Sequence, residues 1–109
     1  MILNVYAIYD AAIASYNQPF YLSESTTHDE ARRVFILSVA DKGTKFYQSP
    51  HDFMLVYCGQ FDDQRGNFET TFPPLRIMSA VEALSLYRSQ RASLLAQLND
   101  ELTIPGLEA

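Results

Sequence analysis

The sequence predicts an α+β domain: a small, mostly antiparallel sheet in the order β-β-α-β-β-α, one helix packed on it, and a long C-terminal helix. Three observations predict this. "ILNVYAIY" and "FMLVYCGQF" alternate with the two-residue period of strands. Between them, "THDEARRVFILSVAD" carries a cap signal followed by helical spacing. After the second run, the polar "DDQRGN" holds Gly66 and separates two strand-like segments, the signature of a hairpin. The 109 residues suit one domain, which at this size can bury roughly two thirds of its unfolded surface. Residues 1–102 are expected to form it, with "TIPGLEA" (103–109) as a tail.

In "ILNVYAIY", Leu3, Val5, Ala7 and Tyr9 share one face and Ile2, Asn4, Tyr6 and Ile8 the other. Both faces are mostly apolar, so this strand should be central. "AAIASYNQ" favours neither helix nor strand, and "PFYL" reads as a short strand. Thr27 with Glu30 has capping-box spacing, and Asp29 and Glu30 suit the positive end of a helix dipole. A helix is predicted from about His28 to Asp41, stopped by Gly43. Its inner stripe would be Ala31, Val34, Phe35 and Ser38, with Leu37 and Ala40 beside it. "TKFYQSPHD" reads as a loop.

In the hairpin, Phe53, Leu55, Tyr57 and Phe61 should form a core face, and Gly59 suits a bulge or the close approach of another backbone. "FETTF" pairs back. Pro73 and Pro74 should interrupt the pairing at an edge, with "RIM" adding a short strand. Ser79 and Glu82 repeat the capping spacing ahead of a helix from about Ala80 to Asn99. Leu84, Tyr87, Arg91, Leu94 and Leu98 make its stripe, widened by Leu95 and Leu102. That helix is roughly 30 Å long, more than a small sheet covers. The Leu94, Leu95, Leu98 and Leu102 end is therefore expected to meet a second copy, giving a homodimer or higher oligomer.

The net charge of −5 argues against strong sequence-independent nucleic-acid binding, which needs clustered Lys and Arg. No apolar run approaches the roughly 18 residues of a membrane span, and "MILNVYAIYD" has no basic leader region, so no membrane partner and a cytoplasmic location are expected. A single cysteine, Cys58, forms no intramolecular disulfide and no thiolate zinc cluster.

Several groups could carry chemistry, and each has a plainer explanation. Cys58 lacks a neighbouring base: His51 is roughly 20 Å away along an extended strand, and His28 opens a helix. It reads as a buried small hydrophobe. Adjacent Asp62 and Asp63 point apart and suit turn capping. No glycine-rich phosphate loop, G-x-S-x-G elbow or H-E-x-x-H is present. The expectation is no enzyme, no cofactor and no metal. Among the eight cations, Arg32, Arg33, Lys42 and Lys45 cluster along the first helix and its exit, with Tyr47 following. Charge interleaved with aromatics can hold a single strand; a solvated helix face, with Arg32 and Arg33 offset by Asp29 and Glu30, is the competing explanation. Arg88 and Arg91 make a second basic element.

Together, "VYAIYDAAIASYNQPFYL", "DEARRVF", "SPHDFMLVYCGQFDDQRGNFE" and the following "PP" resemble the small nonstructural protein of gokushovirus-type microviruses (Microviridae), bacteriophages with single-stranded circular DNA genomes. The resemblance runs from about Val5 to Ile77. It departs at Phe53, where Tyr is common, and in a slightly longer turn; the last helix matches only in character. It implies a phage protein in the cytoplasm of the infected bacterial host, outside the virion. Such a protein would bind DNA and act in single-stranded genome replication and the switch to genome synthesis for packaging. The expected DNA contacts are Arg32, Arg33, Lys42, Lys45 and Tyr47, and the expected partners single-stranded DNA and phage or host replication proteins. The alternative is an adaptor that binds host replication or phage assembly proteins without touching DNA.

Overall fold

The computed structural model describes residues 1–102, with side chains through Asp100; the tail at 103–109 and the Leu102 side chain lie outside the described residues. The strands are β1 (Ile2–Asp10), β2 (Ser15–Tyr16), β3 (Phe20–Ser23), β4 (Phe53–Asp62) and β5 (Asn67–Ser79), and the helices α1 (His28–Ala40), α2 (Lys45–Gln48) and α3 (Ala80–Leu102). All strand pairings are antiparallel. β1 is central, with β4 on one edge and β2 and β3 sharing the other, and β5 flanks β4. This α+β architecture is the one the sequence predicts.

α1 begins where expected. The Thr27 hydroxyl accepts from the Asp29 amide at 3.3 Å, satisfying one of the donors a helix start leaves unpaired. Its buried stripe is Ala31, Phe35 and Val39, an i, i+4, i+8 row. Val34 and Leu37, expected inside or beside the stripe, are exposed instead. The end differs too: Asp41 is extended, and Gly43 has no left-handed backbone to terminate the helix. The Thr44 hydroxyl donates to the Ser38 and Asp41 carbonyls at 3.0 and 2.8 Å, which stops α1. Thr44 also accepts from the Tyr47 amide and starts the single turn of α2. This turn lies in a segment whose sequence predicts a loop. The turn forms because it puts Phe46 between Phe35 and Phe53, at ring-centroid distances of 6.4 and 4.9 Å. A 3-10 turn, Pro50–Asp52, leads into β4.

The core lies between the sheet and the helices. Tyr6, Phe35, Val39 and Leu55 are its largest fully buried side chains, joined by Phe53, Met78, Ala80, Ala83 and Leu84. Tyr6 is the hub. Its ring stacks on Phe20 at 5.6 Å and contacts Tyr57 and His28, and its hydroxyl shares a 2.8 Å hydrogen bond with His28 Nδ1. It thereby ties β1, β3 and β4 to the first turn of α1.

Two expectations for the hairpin change. The second arm is one 13-residue strand, not two pieces broken by prolines. Between Thr70, opposite Gly59, and Leu75, opposite Tyr57, the chain bows outward through Phe72 and the two prolines; Phe72 is 90% exposed and its bond to Pro73 is cis. Phe61 also leaves the core. Tyr6 faces Tyr57 and Val5 faces Gly59, so β4 holds one extra residue there. A bulge reverses the parity of every later side chain. Phe61 therefore packs on Tyr21 and Phe68, at 6.1 and 4.5 Å, on the face away from the helices.

Gly59 permits this. Its φ is +126°, and an added Cβ would overlap the Glu69 carbonyl oxygen and lie 2.9 Å from Thr70 Cα. Gly66, at φ +71° in the turn, has open space around it. Gly59→Ala should therefore cost about 3 kcal/mol or more, adding backbone overlap to conformational strain. Gly66→Ala should cost only about 1–2 kcal/mol of left-handed strain. Urea denaturation of the two variants checks the ordering.

Candidate nucleic-acid interface on the α1–α3 seam

The residues that looked reactive have structural work. The Asp62 carboxylate accepts from the Gln64 and Arg65 amides at 3.0 and 3.2 Å, closing the hairpin turn. Asp63 turns the other way and accepts from the amino group of Met1 at 2.7 Å. Cys58, expected to be buried, is partly exposed beside the bulge, and burial still pushes its thiol above the ordinary value, which holds it protonated at neutral pH. Among the described residues no group of three His, Cys, Asp or Glu side chains is placed to hold a metal ion. Nor is any described helix long and apolar enough to cross a membrane.

The cations are arranged differently. α1 and α3 pack antiparallel: Ala40 and Lys42 lie by Leu84 and Arg88, while Asp29 and Arg33 lie by Gln90 and Leu94. The seam between them is a chain of three concavities that share walls. One of about 590 Å³ has Arg33, Arg91 and Tyr87 in its lining, with Asp29 at the α1 start. The next, about 280 Å³, brings Lys42, Tyr47, Arg88 and Arg91 together around Tyr87. The third, about 270 Å³, continues past Arg88 to His51. Arg33, Lys42, Arg88 and Arg91, half of the eight cations, thus line one seam of a chain whose net charge is negative.

The candidate residues divide accordingly. Arg33, Lys42 and Tyr47 lie on the seam. Arg32 does not line it: it is half-buried and paired with Asp29. Lys45 sits over the Phe46 and Phe53 rings, 5.8 and 5.6 Å from their centroids, a cation–π arrangement on the core's edge. Arg33 reaches Glu30 only at 4.0 Å and stays 74% exposed, so that pair holds it weakly. Among the described residues no carboxylate lies within salt-bridge distance of Lys42, Arg88 or Arg91. Arg88 and Arg91, a second basic element in the sequence, join the site here. Their i, i+3 spacing on a helix antiparallel to α1 was the available signal; knowing that they meet Lys42 and Tyr47 required the packing.

What this arrangement can do is bind. Guanidinium and ammonium groups along a groove, with tyrosines beside them, suit a run of phosphates and unstacked bases. The fold and seam thus define a small α+β protein with a cationic helix–helix groove. That protein comes from a bacteriophage family: residues 3–83 match the phage ORF5 protein model, and the chain belongs to that family. The match begins at Leu3, one residue into β1, takes in the rest of the sheet and α1, and ends at Ala83, in the first turn of α3. No curated protein and no solved structure matches the chain.

The pairing that fixes the seam's α1 side can be tested. Burial, aided by the neighbouring Tyr57, raises the Tyr6 phenol above its ordinary value of 10.0. The folded state then holds this proton more tightly than the unfolded one. That stabilisation is complete below pH 10 and is lost as pH rises through the folded value. Tyr6→Phe should flatten the loss of stability above about pH 10 and cost about 1 kcal/mol at pH 7 through the missing His28 bond. Chemical denaturation at pH 7 and across the alkaline range measures both.

Proposed function

We propose that this phage protein is a non-enzymatic accessory factor that binds the backbone of single-stranded DNA along the α1–α3 seam and acts in replication of a single-stranded phage genome. The observation that carries this reading is the convergence of Arg33, Lys42, Arg88 and Arg91 around Tyr47 and Tyr87. Family membership supports a phage role, and the hairpin and helix motifs resembling the microvirus nonstructural protein support the link to single-stranded genomes. The acidic remainder of the chain gives the site its character: it limits general attraction to polyanions and confines binding to one groove. A flexible single strand can follow a concave seam between two helices more readily than a rigid duplex.

Binding of labelled single-stranded oligonucleotide, followed by anisotropy at several salt concentrations, tests this. Affinity should fall linearly with log salt, by about 0.7 per phosphate neutralised. Arg88→Ala with Arg91→Ala should weaken binding and lower that slope by about 1.4. Arg65→Ala, at the hairpin turn, should change neither. Absence of binding at about 50 mM salt and micromolar protein would overturn the reading and favour an adaptor that contacts replication or assembly proteins alone.

A further inference from the structure

We infer that the overhanging half of α3 is the interface between two copies of this chain, packed antiparallel about a two-fold axis near Leu94 and Leu95. α3 has 23 residues, about 35 Å at helical rise, and its antiparallel course beside α1 carries it past the α1 start. Its stripe does not end where the body ends. Ala80, Ala83 and Leu84 are buried and Tyr87 half-buried. On the same side, Leu94 and Leu98 continue the spacing, with Leu95 alongside, at 56%, 44% and 51% exposure. A helix half meant only for water would carry polar residues there.

The occupant follows from charge. The chain carries −5, so two copies repel over most of their surface. A two-fold contact sets each residue at the axis near its own counterpart, so its centre must carry no charge. From Ala92 to Asn99, α3 has no charged residue, and the leucines fall inside that stretch. An acidic or basic partner of another kind would impose no such requirement. Area points the same way. A half-helix about 18 Å long cannot alone supply the roughly 800 Å² per partner of a specific interface. The adjoining groove adds surface away from the axis: Ile36, Leu37 and Leu94 line it beside the charged Asp29, Arg33 and Arg91, with Leu37 at 59% exposure. In the dimer each overhanging helix half covers the Ile36, Leu37 and Leu94 side of the other copy's groove and leaves Arg33, Tyr87 and Arg91, with the Lys42, Tyr47 and Arg88 end beyond them, open.

Sedimentation equilibrium of the full chain without nucleic acid, from low micromolar to about 100 µM, reads this independently of DNA binding. The expected mass is twice 12.4 kDa. Leu95→Glu with Leu98→Glu should raise the dimer Kd by roughly 100-fold or more with unchanged far-UV circular dichroism. Phe68→Glu with Phe72→Glu, on the exposed hairpin arm, should leave the mass doubled. A mass of 12.4 kDa at every concentration overturns the inference. So does a dimer that survives the leucine substitutions, or one lost through the phenylalanine substitutions instead.

Discussion

The close approach of β4 and β5 at Gly59 is the constraint on which the rest of the molecule depends. The absent side chain lets the Glu69–Thr70 backbone lie against β4, and the extra residue beside it reverses the sense of the strand. Before the bulge, Phe53 and Leu55 point at the helices and build the core with Phe35 and Tyr6. Beyond it, Phe61 points away and joins Tyr21 and Phe68. One strand thus serves two surfaces. Were the alternation unbroken, Phe61 would press toward the helix side, where Asn4 accepts from Gln60 and Tyr57. The polar end of the sheet would then have to bury an aromatic ring.

Tyr6 transmits that sheet geometry to the helices. It is completely buried, stacks on β3 and meets His28 in the first turn of α1. α1 is thereby fixed in position and direction, and α3 packs antiparallel beside it. Arg33 and Lys42 are nearly a helix length apart on and after α1, and they share a seam with Arg88 and Arg91 only because of this packing. The cationic seam is thus a consequence of the core, with Tyr87 and Arg91 the side chains common to its two largest concavities.

Much of the fold was legible because its local signals agree with one another. Thr27 and Ser79 cap helices as their spacing predicts, β1 is central as its two apolar faces imply, and Asp62 closes a turn. What escaped depended on distant partners. α2 forms for the sake of Phe46, whose neighbours Phe35 and Phe53 lie in other elements. Helical spacing alone could not choose Val39 over Val34 and Leu37 for the inner row of α1, because all three are apolar and the choice belongs to the packing. The Phe61 reversal needed the strand register, although Gly59 hinted at it. For the site, composition identified the basic residues on α1, but proximity in sequence grouped Arg32 and Lys45 with them, whereas space groups Arg88 and Arg91. Arg32 went to Asp29 and Lys45 to a pair of aromatic rings, each a local attraction that removes it from the seam.

The outward bow of β5 at Phe72, Pro73 and Pro74 also governs how the protein behaves when it is abundant. β5 is the outermost strand on its side of the sheet, long and largely exposed, the kind of border that recruits further strands and seeds fibrous aggregates. Proline has no amide proton to offer such a newcomer, and two in succession, where the pairing register is already broken, divide the edge into two short runs of donors. The border is therefore a broken template: a strand added along it meets a gap in its ladder at the prolines.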